Sequence, residues 1–313
     1  MKKVLVTGGA GFVGRHMVDA LIRRGLEPRI IDNFSTSSPA ALADVARKID
    51  LIKGDIRSSA DVKKAVKGMD AVFHFAAIRS VVKTVEDPLL NHEVNATGSL
   101  LLLHHAQSAG AKHFIFTSSS AVYGDAAADR QREDGRLSPI SPYGAAKLAS
   151  EHYALYYFRQ RGLPTTSVRI FNVYGPRQNP ESKYSLAVPG LSSRILRGQP
   201  PVIDGSGEQA RDFVYIGDVI DAFFLILGNP KSYGQVYNLG SGTAVSVNTL
   251  VNTLLRLAGS KLEPIHGPRR PGDPERTCAD ISRIRRQLGW KPQVPLEEGL
   301  EAALDWARSH PLK

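Results

Sequence analysis

The chain has 313 residues, 42% of them hydrophobic and 22% charged, which is enough apolar material for one large domain or a main domain with an appendage. A single cysteine, Cys278, excludes an intrachain disulfide and a cysteine-based metal cage and is typical of a reducing compartment. The net charge of +10 is scattered, and the densest arginine cluster, between residues 269 and 286, lacks interleaved aromatic residues for base stacking, so we expect no nucleic-acid partner.

The amino-terminal residues predict a strand, a glycine-rich turn and a helix, in that order. Residues 2–6 form a short apolar run, residues 7–14 read TGGAGFVG, and the apolar residues after them recur at helical spacing through Ile22. Glycines let the backbone approach a pyrophosphate, which then lies on the free N–H groups at the start of the helix. This order predicts a dinucleotide site. Because we find no signal-peptide pattern and no apolar run near the roughly 20 residues of a membrane span, we expect a cytoplasmic protein with no membrane partner.

A carboxylate follows the second predicted strand, residues 29–31. Asp32 lies eighteen residues beyond Gly14. At this distance a carboxylate accepts hydrogen bonds from the adenosine ribose hydroxyls and repels a 2′-phosphate. Asp32 therefore favours NAD over NADP, and a polar strand end is the alternative interpretation.

Strands and helices alternate through the first half of the chain, which predicts an α/β fold with a doubly wound parallel sheet of Rossmann type. The predicted strands are residues 4–6, 29–31, 50–53, 71–75, 113–117 and 166–171. The predicted helices between them are residues 15–24, 60–66, 95–108 and 143–161. Ligands of such sheets bind beyond the carboxyl ends of the strands.

The spacing changes after about Gly175, where the sequence becomes irregular and rich in proline and glycine. Helices are predicted there at residues 186–196, 216–227 and 296–308. We therefore expect residues 1–175 to form the NAD-binding domain, with some later segments returning to it. Residues 176–313 are expected to form a smaller, mixed α/β substrate domain.

Residues 141–147, SPYGAAK, place a phenol and an ammonium group four residues apart, at Tyr143 and Lys147. Four residues make about one helical turn, so both groups can face one reaction centre. A phenol with a pKa near 10 is a poor base at neutral pH, and a neighbouring ammonium favours the phenolate. The pair therefore indicates proton chemistry beside the dinucleotide, and a helix end with a snorkelling lysine is the alternative.

Over essentially its whole length the chain resembles the extended short-chain dehydrogenase/reductase family, and within it the NAD-dependent nucleotide-sugar epimerases, such as the UDP-glucose/UDP-galactose 4-epimerases. The motifs that carry the resemblance are TGGAGFVG at 7–14, DN at 32–33, GDI at 54–56, HFAA at 74–77, Asn95, FTSSSAVYG at 116–124, SPYGAAK at 141–147, RIFNVYGPRQ at 169–178, ARDFVYIGDV at 210–219 and RPGD at 270–273.

The resemblance implies a role for each site residue. It implies that Tyr143 is the acid/base, that Lys147 lowers its pKa and holds the nicotinamide ribose, and that Ser119 hydrogen-bonds the sugar 4-hydroxyl. The NAD contacts it implies are Gly8, Gly11, Phe12, Val13, Asp32, Asn33, Asp55, Ile56, Phe75, Ala76, Ala77, Asn95, Thr117, Tyr143, Lys147 and Phe171. The substrate contacts it implies are Arg79, Ser119, Tyr143, Asn172, Ala187, Val188, Val202, Asp204, Arg211, Arg270, Asp273 and Thr277. Core packing is the alternative for the apolar members, and a surface ion pair is the alternative for Arg211 and Arg270.

The implied reaction is 4-epimerisation of a UDP-hexose, in which NAD takes a hydride from C4 and returns it to the opposite face of a transient 4-ketose. Sugar-nucleotide 4,6-dehydratases carry Asp and Glu where this chain has Ser120 and Ala121, which disfavours elimination. Asn172 and the stretch NPES at 179–182 disfavour a UDP-glucuronate 4-epimerase. The resemblance aligns Thr277 with the position that limits the sugar pocket in this family. This small residue would leave room for a 2-acetamido group, so UDP-GlcNAc/UDP-GalNAc stays open beside UDP-glucose/UDP-galactose. The uronate epimerase and a net NAD-dependent dehydratase or oxidoreductase are the alternatives.

The resemblance also implies a homodimer, because members of the family pair two helices of each subunit into a four-helix bundle. The matching helices follow Asn95 and Tyr143 and carry apolar residues on more than one face. These apolar residues include Leu100 to Leu103, Tyr153, Tyr156, Tyr157 and Phe158. Burial within one subunit is the alternative.

Overall fold

Seven parallel strands form the central sheet of the protein, which we describe from a computed structural model for residues 1–124, 128–178, 187–269 and 274–310. In spatial order the strands are β10 (Gln235–Leu239), β6 (Thr165–Ile170), β5 (His113–Ser119), β4 (Ala71–His74), β1 (Lys3–Thr7), β2 (Glu27–Asp32) and β3 (Asp50–Lys53). Neighbouring strands are parallel throughout, and the chain winds outward from β1 in both directions. The predicted doubly wound α/β fold is therefore confirmed.

Helices cover both faces of this sheet because successive side chains of a strand point to opposite faces. Val4 and Val6 of β1 pack in one buried cluster with helices α1 (Phe12–Arg23) and α8 (Ile216–Ile226). Leu5, between them, packs in a second cluster on the other face. The helices of that face are α2 (Ser59–Val66), α5 (Gly98–Ser108) and α6 (Pro142–Arg161). All three β1 side chains are fully buried, and burial of one such side chain stabilises a fold by about 1.5–3 kcal/mol.

The segment between β4 and α5 is more helical than the sequence predicts. It contains α3 (Val81–Glu86), α4 (Pro88–His92) and a wider π-type turn, Glu93–Thr97, that runs into α5. The helix therefore starts before the predicted residue 95. The reason is local: the Asp87 side chain accepts a 2.9 Å hydrogen bond from the Leu90 N–H, and Pro88 occupies the first helical position.

Two small sheets and three helices form a separate group of elements in the described chain. The strands of the small sheets are β7 (Asn172–Tyr174), β9 (Ala210–Tyr215) and β11 (Ala244–Ser246) in one sheet, and β8 (Val202–Asp204) and β12 (Ile265–Gly267) in the other. Around them lie α7 (Ala187–Leu196), α9 (Val247–Ala258) and α11 (Leu296–Ser309), which share a third buried cluster. A further helix, α10 (Ser282–Leu288), contacts β10 of the large sheet. The boundary between two domains near residue 175 stays a prediction. β10 lies after this boundary in the chain and pairs with β6 of the large sheet.

The apolar residues of α5 and α6 divide between the core and the surface. Leu102, Leu103 and Tyr157 are buried against the central sheet, as the alternative of burial within one subunit expects for these residues, and the homodimer stays a prediction. Tyr153 and Tyr156 are 40% and 49% exposed. Among the described residues, no helix combines the length and apolar character needed to cross a membrane.

Candidate active site

The glycine-rich turn between β1 and α1 is closely packed against its surroundings. Gly8 has a φ of +69°, and a Cβ atom on it would lie 2.8 Å from the backbone nitrogen of Ala76. A Cβ atom on Gly14 would lie 2.1 Å from the carbonyl oxygen of Gly8. Gly11 precedes α1 and supplies no side-chain cap, so the first N–H groups of the helix are available to an anion. Phe12 and Val13, the first residues of α1, pack against the core.

Asp32 connects this turn to the end of β2. Its carboxylate accepts hydrogen bonds from the Ala10 N–H at 2.9 Å and the Phe34 N–H at 2.8 Å. The next residue, Asn33, donates to the Asp55 carboxylate at 3.0 Å. The structure therefore brings the sequence-predicted residues Asp32, Asn33 and Asp55 together at the carboxyl ends of β2 and β3.

Asp55 is held ionised by its neighbours. Hydrogen bonds from Arg57, the closer at 2.8 Å, lower the pKa of Asp55 to about 2. Ile56, beside it, is buried and lies against Gly98 of α5, as the core-packing alternative expects.

The loop after β4 is supported from beneath by buried polar side chains. Asn95 accepts a hydrogen bond from the Ile78 N–H at 2.9 Å and donates to the Ile78 carbonyl at 2.8 Å. His74 bridges the hydroxyls of Thr7 and Ser99, each at 2.8 Å, and burial holds the pKa of His74 well below its usual value. The loop residues Phe75, Ala76 and Ala77 are half-buried above this support. Asn95 therefore uses its side chain to hold the loop.

Ser119 and Tyr143 meet where β5 ends and α6 begins. The start of α6 follows from its sequence, because the Ser141 hydroxyl caps the Gly144 N–H at 3.1 Å and Pro142 occupies the first helical position. This start places the Tyr143 phenol close to the Ser119 hydroxyl. Burial raises the pKa of Tyr143, while the hydrogen bond to Ser119 and the charge of Arg79 lower it.

Lys147 lies one turn further along α6 and is 2% exposed. Its Nζ atom donates to the Thr117 carbonyl at 2.8 Å and lies 5.9 Å from the centre of the Tyr143 ring. Burial lowers the pKa of Lys147 to about 7, and the charge of Glu151 opposes this shift. The cation that lowers the Tyr143 pKa in this structure is Arg79, which the sequence placed only among the substrate contacts.

Two sequence-predicted residues carry buried hydroxyls without a hydrogen-bond partner in the described part of the chain. They are Thr117, next to the Lys147 contact, and Thr277. A buried hydroxyl left without a partner costs on the order of 1–3 kcal/mol, so both hydroxyls are suited to contact a bound polar group.

The other predicted substrate contacts lie on the small sheets and on α7. Asn172 donates to the Asp212 carbonyl at 3.2 Å, and Arg211 donates to the Ala210 carbonyl at 2.8 Å. Ala187 and Val188 begin α7, where Val188 is buried in the third cluster. Val202 and Asp204 are the first and last residues of β8. Phe171 is buried against Tyr123, and Arg270 and Asp273 lie outside the described residues.

Sequence reasoning missed a buried ion pair behind Lys147. Glu151 of α6 and Arg169 of β6 are 5% and 2% exposed, and two of their atoms are 2.7 Å apart. The available signal was the position of Glu151, four residues after Lys147 and therefore on the same helix face. Its partner Arg169 is eighteen residues further along the chain, and no local pattern links the two.

Comparisons with known proteins agree with this geometry. The profile of the NAD dependent epimerase/dehydratase family matches residues 4–240. The UDP-glucose 4-epimerase of Mycolicibacterium smegmatis is 36% identical over 312 residues, which cover 98% of this chain and 99% of that protein. The structure of Thermotoga maritima UDP-glucose 4-epimerase with UDP-glucose has a TM-score of 0.94 at 36% identity and covers 98% and 99% of the two chains. A UDP-N-acetylglucosamine 4-epimerase from Methanobrevibacter ruminantium, in complex with UDP-N-acetylmuramic acid, has a TM-score of 0.94 at 37% identity and covers 99% of each chain.

Proposed function

The chain belongs to the NAD dependent epimerase/dehydratase family, and from this premise we propose that it interconverts the C4 epimers of a UDP-hexose through a transient 4-keto intermediate. The observation that carries the proposal is the proximity of the Ser119 hydroxyl and the Tyr143 phenol at the ends of β5 and α6, with Lys147 one helical turn away. A phenol beside a hydroxyl, at the carboxyl ends of the strands of a dinucleotide-binding sheet, is suited to accept the proton of a sugar hydroxyl group.

Each of the three residues has a distinct task in this reaction. Tyr143 removes the proton of the sugar 4-hydroxyl at its phenol oxygen and later returns it. Ser119 holds both that phenol and the sugar hydroxyl. Lys147, anchored on the Thr117 carbonyl, presents its remaining N–H groups to the ribose next to the nicotinamide. NAD, when bound, supplies the acceptor for the C4 hydride.

The neighbours of Ser119 support epimerisation over elimination. Ser120 and Ala121 begin a short 3₁₀ turn, Ser120–Val122, and the Ala121 N–H donates to the Ser119 hydroxyl at 3.2 Å. Neither side chain can carry the extra proton that loss of water needs. A net dehydratase would therefore need another acid at this position.

An N-acetylated sugar is the second candidate substrate. Thr277 is anchored by its N–H to the Ala210 carbonyl at 3.0 Å, and its buried hydroxyl has no partner in the described chain. A small residue with a spare hydroxyl suits a 2-acetamido group as well as a 2-hydroxyl. The relative from Methanobrevibacter ruminantium, a UDP-N-acetylglucosamine 4-epimerase, supports keeping this candidate.

The proposal extends to a homodimer in the cytoplasm. The exposed Tyr153 and Tyr156 give α6 an apolar surface on the side away from the sheet, which suits a partner helix. Cys278, which is buried and free, supports a reducing compartment.

Incubation with a panel of UDP- and dTDP-sugars, followed by proton NMR of the C4 configuration, tests the reaction. We expect interconversion of UDP-glucose with UDP-galactose, or of UDP-GlcNAc with UDP-GalNAc, without change in absorbance at the nicotinamide band. Stoichiometric release of NADH with a UDP-hexose would contradict the proposal and favour a net oxidoreductase. Formation of a 4-keto-6-deoxy sugar would favour a dehydratase.

A further inference from the structure

A buried carboxylate connects the two elements that carry the proposed reacting residues. Glu151 lies four residues after Lys147, and it accepts hydrogen bonds from the Arg169 Nε atom at 2.9 Å and the Arg169 Nη2 atom at 2.7 Å. Its Oε1 atom also accepts a hydrogen bond from the Ser118 hydroxyl. Ser118 lies between Thr117, whose carbonyl receives Lys147, and Ser119. The Glu151 carboxylate therefore holds α6 against the last residues of β5.

Arg169 is itself fully engaged by other elements. Its Nη1 atom donates to the Tyr123 hydroxyl at 3.0 Å and to the Glu133 carbonyl at 3.2 Å. The Tyr123 hydroxyl donates to the Asn238 side chain on β10 at 2.6 Å. The guanidinium also lies 4.9 Å from the centre of the Tyr123 ring. These contacts fix the orientation of Arg169 and, through it, that of Glu151.

The groups that face Lys147 differ in charge. His74 on β4 is neutral because of its burial, and Tyr143 on α6 is a phenol. Strand β5 contributes uncharged groups, the Thr117 carbonyl and the Phe116 ring, whose centre lies 4.9 Å from Nζ. On β6, Arg169 is paired to Glu151. Among the described groups that act on the charge of Lys147, Glu151 is thus the carboxylate that favours the protonated form.

A buried ion pair needs a reason other than stability. Replacement of such a pair by apolar residues is often neutral or stabilising, because removal of two charges from water offsets their attraction. The Glu151–Arg169 pair lies on the helix face of Lys147 and contacts the strand of Ser119. Its location indicates a role at the active site.

We propose that Glu151 is a positioning residue for the reaction described above: held by Arg169 and Ser118, it keeps Lys147 protonated and fixes α6 against the end of β5. This proposal rests on the proposed function, in which a charged Lys147 is required. Loss of the Glu151 charge should leave a cation buried with no carboxylate beside it, so its proton should dissociate at lower pH.

Direct titration of Lys147 tests the proposal without the need for turnover. The purified protein is labelled with 13C at the lysine Cε atoms, and the Lys147 signal is identified as the one missing from Lys147→Arg. We expect its titration midpoint to fall by about one pH unit or more in Glu151→Gln. Glu151→Asp keeps the charge, and its midpoint should stay close to that of the unmodified protein. Glu297→Gln, which removes an exposed carboxylate of α11 that is paired with Arg256 of α9, is the matched control and should leave the midpoint unchanged.

A double variant keeps the test sound if the unpaired Arg169 prevents folding of Glu151→Gln. Glu151→Gln with Arg169→Gln removes both charges together and retains groups that can hydrogen-bond Ser118 and Tyr123. We expect it to fold and to show the same lowered midpoint. A double variant whose Lys147 titrates as in the unmodified protein would show that the pair is structural only.

The pH dependence of epimerisation provides the second measurement. The alkaline decline in kcat/KM should move to lower pH in Glu151→Gln and return toward the original in Glu151→Asp. A merely structural role would lower activity at all pH values with no displacement of the profile, which would overturn the proposal. Absence of any epimerisation in the unmodified protein would count against the proposed function, whereas the lysine titration would still decide the role of Glu151.

Discussion

The phenol of Tyr143 and the hydroxyl of Ser119 lie close enough, across the gap between β5 and α6, for the hydroxyl to lower the pKa of the phenol. Lys147, which the four-residue spacing suggested as the partner of the phenol, instead donates to a backbone carbonyl of β5. Burial raises the pKa of Tyr143 and lowers that of Lys147, so each group is displaced toward its neutral form. A charge bound beside the buried Lys147 and the half-buried Tyr143 would therefore shift the protonation of both groups.

Removal of the Tyr143 hydroxyl should stop the proposed proton transfer and leave the fold intact. We expect Tyr143→Phe to lower kcat by about 10²–10⁴-fold, because general acid/base catalysis contributes in that range. Bound NAD, measured after denaturation of the purified protein, should remain. Tyr156→Phe, on the exposed side of the same helix, is the control and should retain full activity. Activity in Tyr143→Phe close to that of the control would show that another group carries the proton.

The pH dependence of the free energy of unfolding should reveal the buried charge of Lys147. The pKa of Lys147 is lowered to about 7 by burial, whereas in the unfolded chain it lies near the ordinary value of 10.5. Between these pH values the unfolded chain binds more protons, so the contribution of Lys147 to the free energy of unfolding becomes more favourable as pH rises. Below pH 7 Lys147 is charged in both the folded and the unfolded protein, and the cost of burying this charge lowers the free energy of unfolding by its full amount.

Lys147→Met should therefore be more stable than the unmodified protein at pH 6, on the order of a few kcal/mol. The difference in urea midpoint should shrink as pH rises from 7 to 10. Urea unfolding of both proteins at four pH values measures this difference in midpoint. A difference that stays constant over this range would mean that Lys147 is not the titrating group.

The close approach of Gly8 to the loop after β4 can be tested against a glycine of the same conformation. Gly8 and Gly25 have φ values of +69° and +70°, but a Cβ atom would contact Ala76 at the first position and nothing within 4 Å at the second. Gly25→Ala should cost about 1–2 kcal/mol through its left-handed backbone alone. Gly8→Ala should cost more than this and should also lose bound NAD. Equal costs and retained NAD in both variants would show that the turn can move away from Ala76.

The sequence was sufficient for the features that depend on local patterns. The strand, glycine turn and helix at residues 2–22 and the alternation that followed predicted β1 to β6 of the seven-stranded sheet, because strand and helix periodicity are local. β10 was not predicted, since the residues of Gln235–Leu239 pair with residues 69 positions earlier in the chain and no local signal encodes that distance. The same limit applies to the Glu151–Arg169 pair and to the acceptor of Lys147. Burial of Leu102 and Leu103 within the subunit was left open, because an apolar helix face has the same pattern whether it meets a sheet or a partner.

Asp32 should determine the preference of the protein for NAD over NADP. Its carboxylate is fixed by the Ala10 and Phe34 N–H groups, where it would repel a 2′-phosphate. We expect Asp32→Asn to narrow the preference for NAD over NADP by about tenfold, which corresponds to about 1.4 kcal/mol. Competitive binding of the two cofactors measures the ratio. Asp19→Asn, on the adjacent helix, removes one charge without touching β2 and should leave the ratio unchanged. A preference unaltered in Asp32→Asn would mean that other residues select the cofactor.

The exposed tyrosines of α6 should hold the proposed dimer together. Tyr153 and Tyr156 are one turn apart on a single face of the helix, and both lie outside the core of their own subunit. Tyr153→Glu combined with Tyr156→Glu would place four negative charges in a two-fold interface, so we expect monomers at micromolar concentration by light scattering. Leu225→Glu is the control, because Leu225 is 42% exposed on α8 at the opposite face of the sheet. It should leave the dimer intact. A double variant that remains dimeric would place the interface elsewhere, and an unmodified protein that is monomeric would remove the dimer from the proposal.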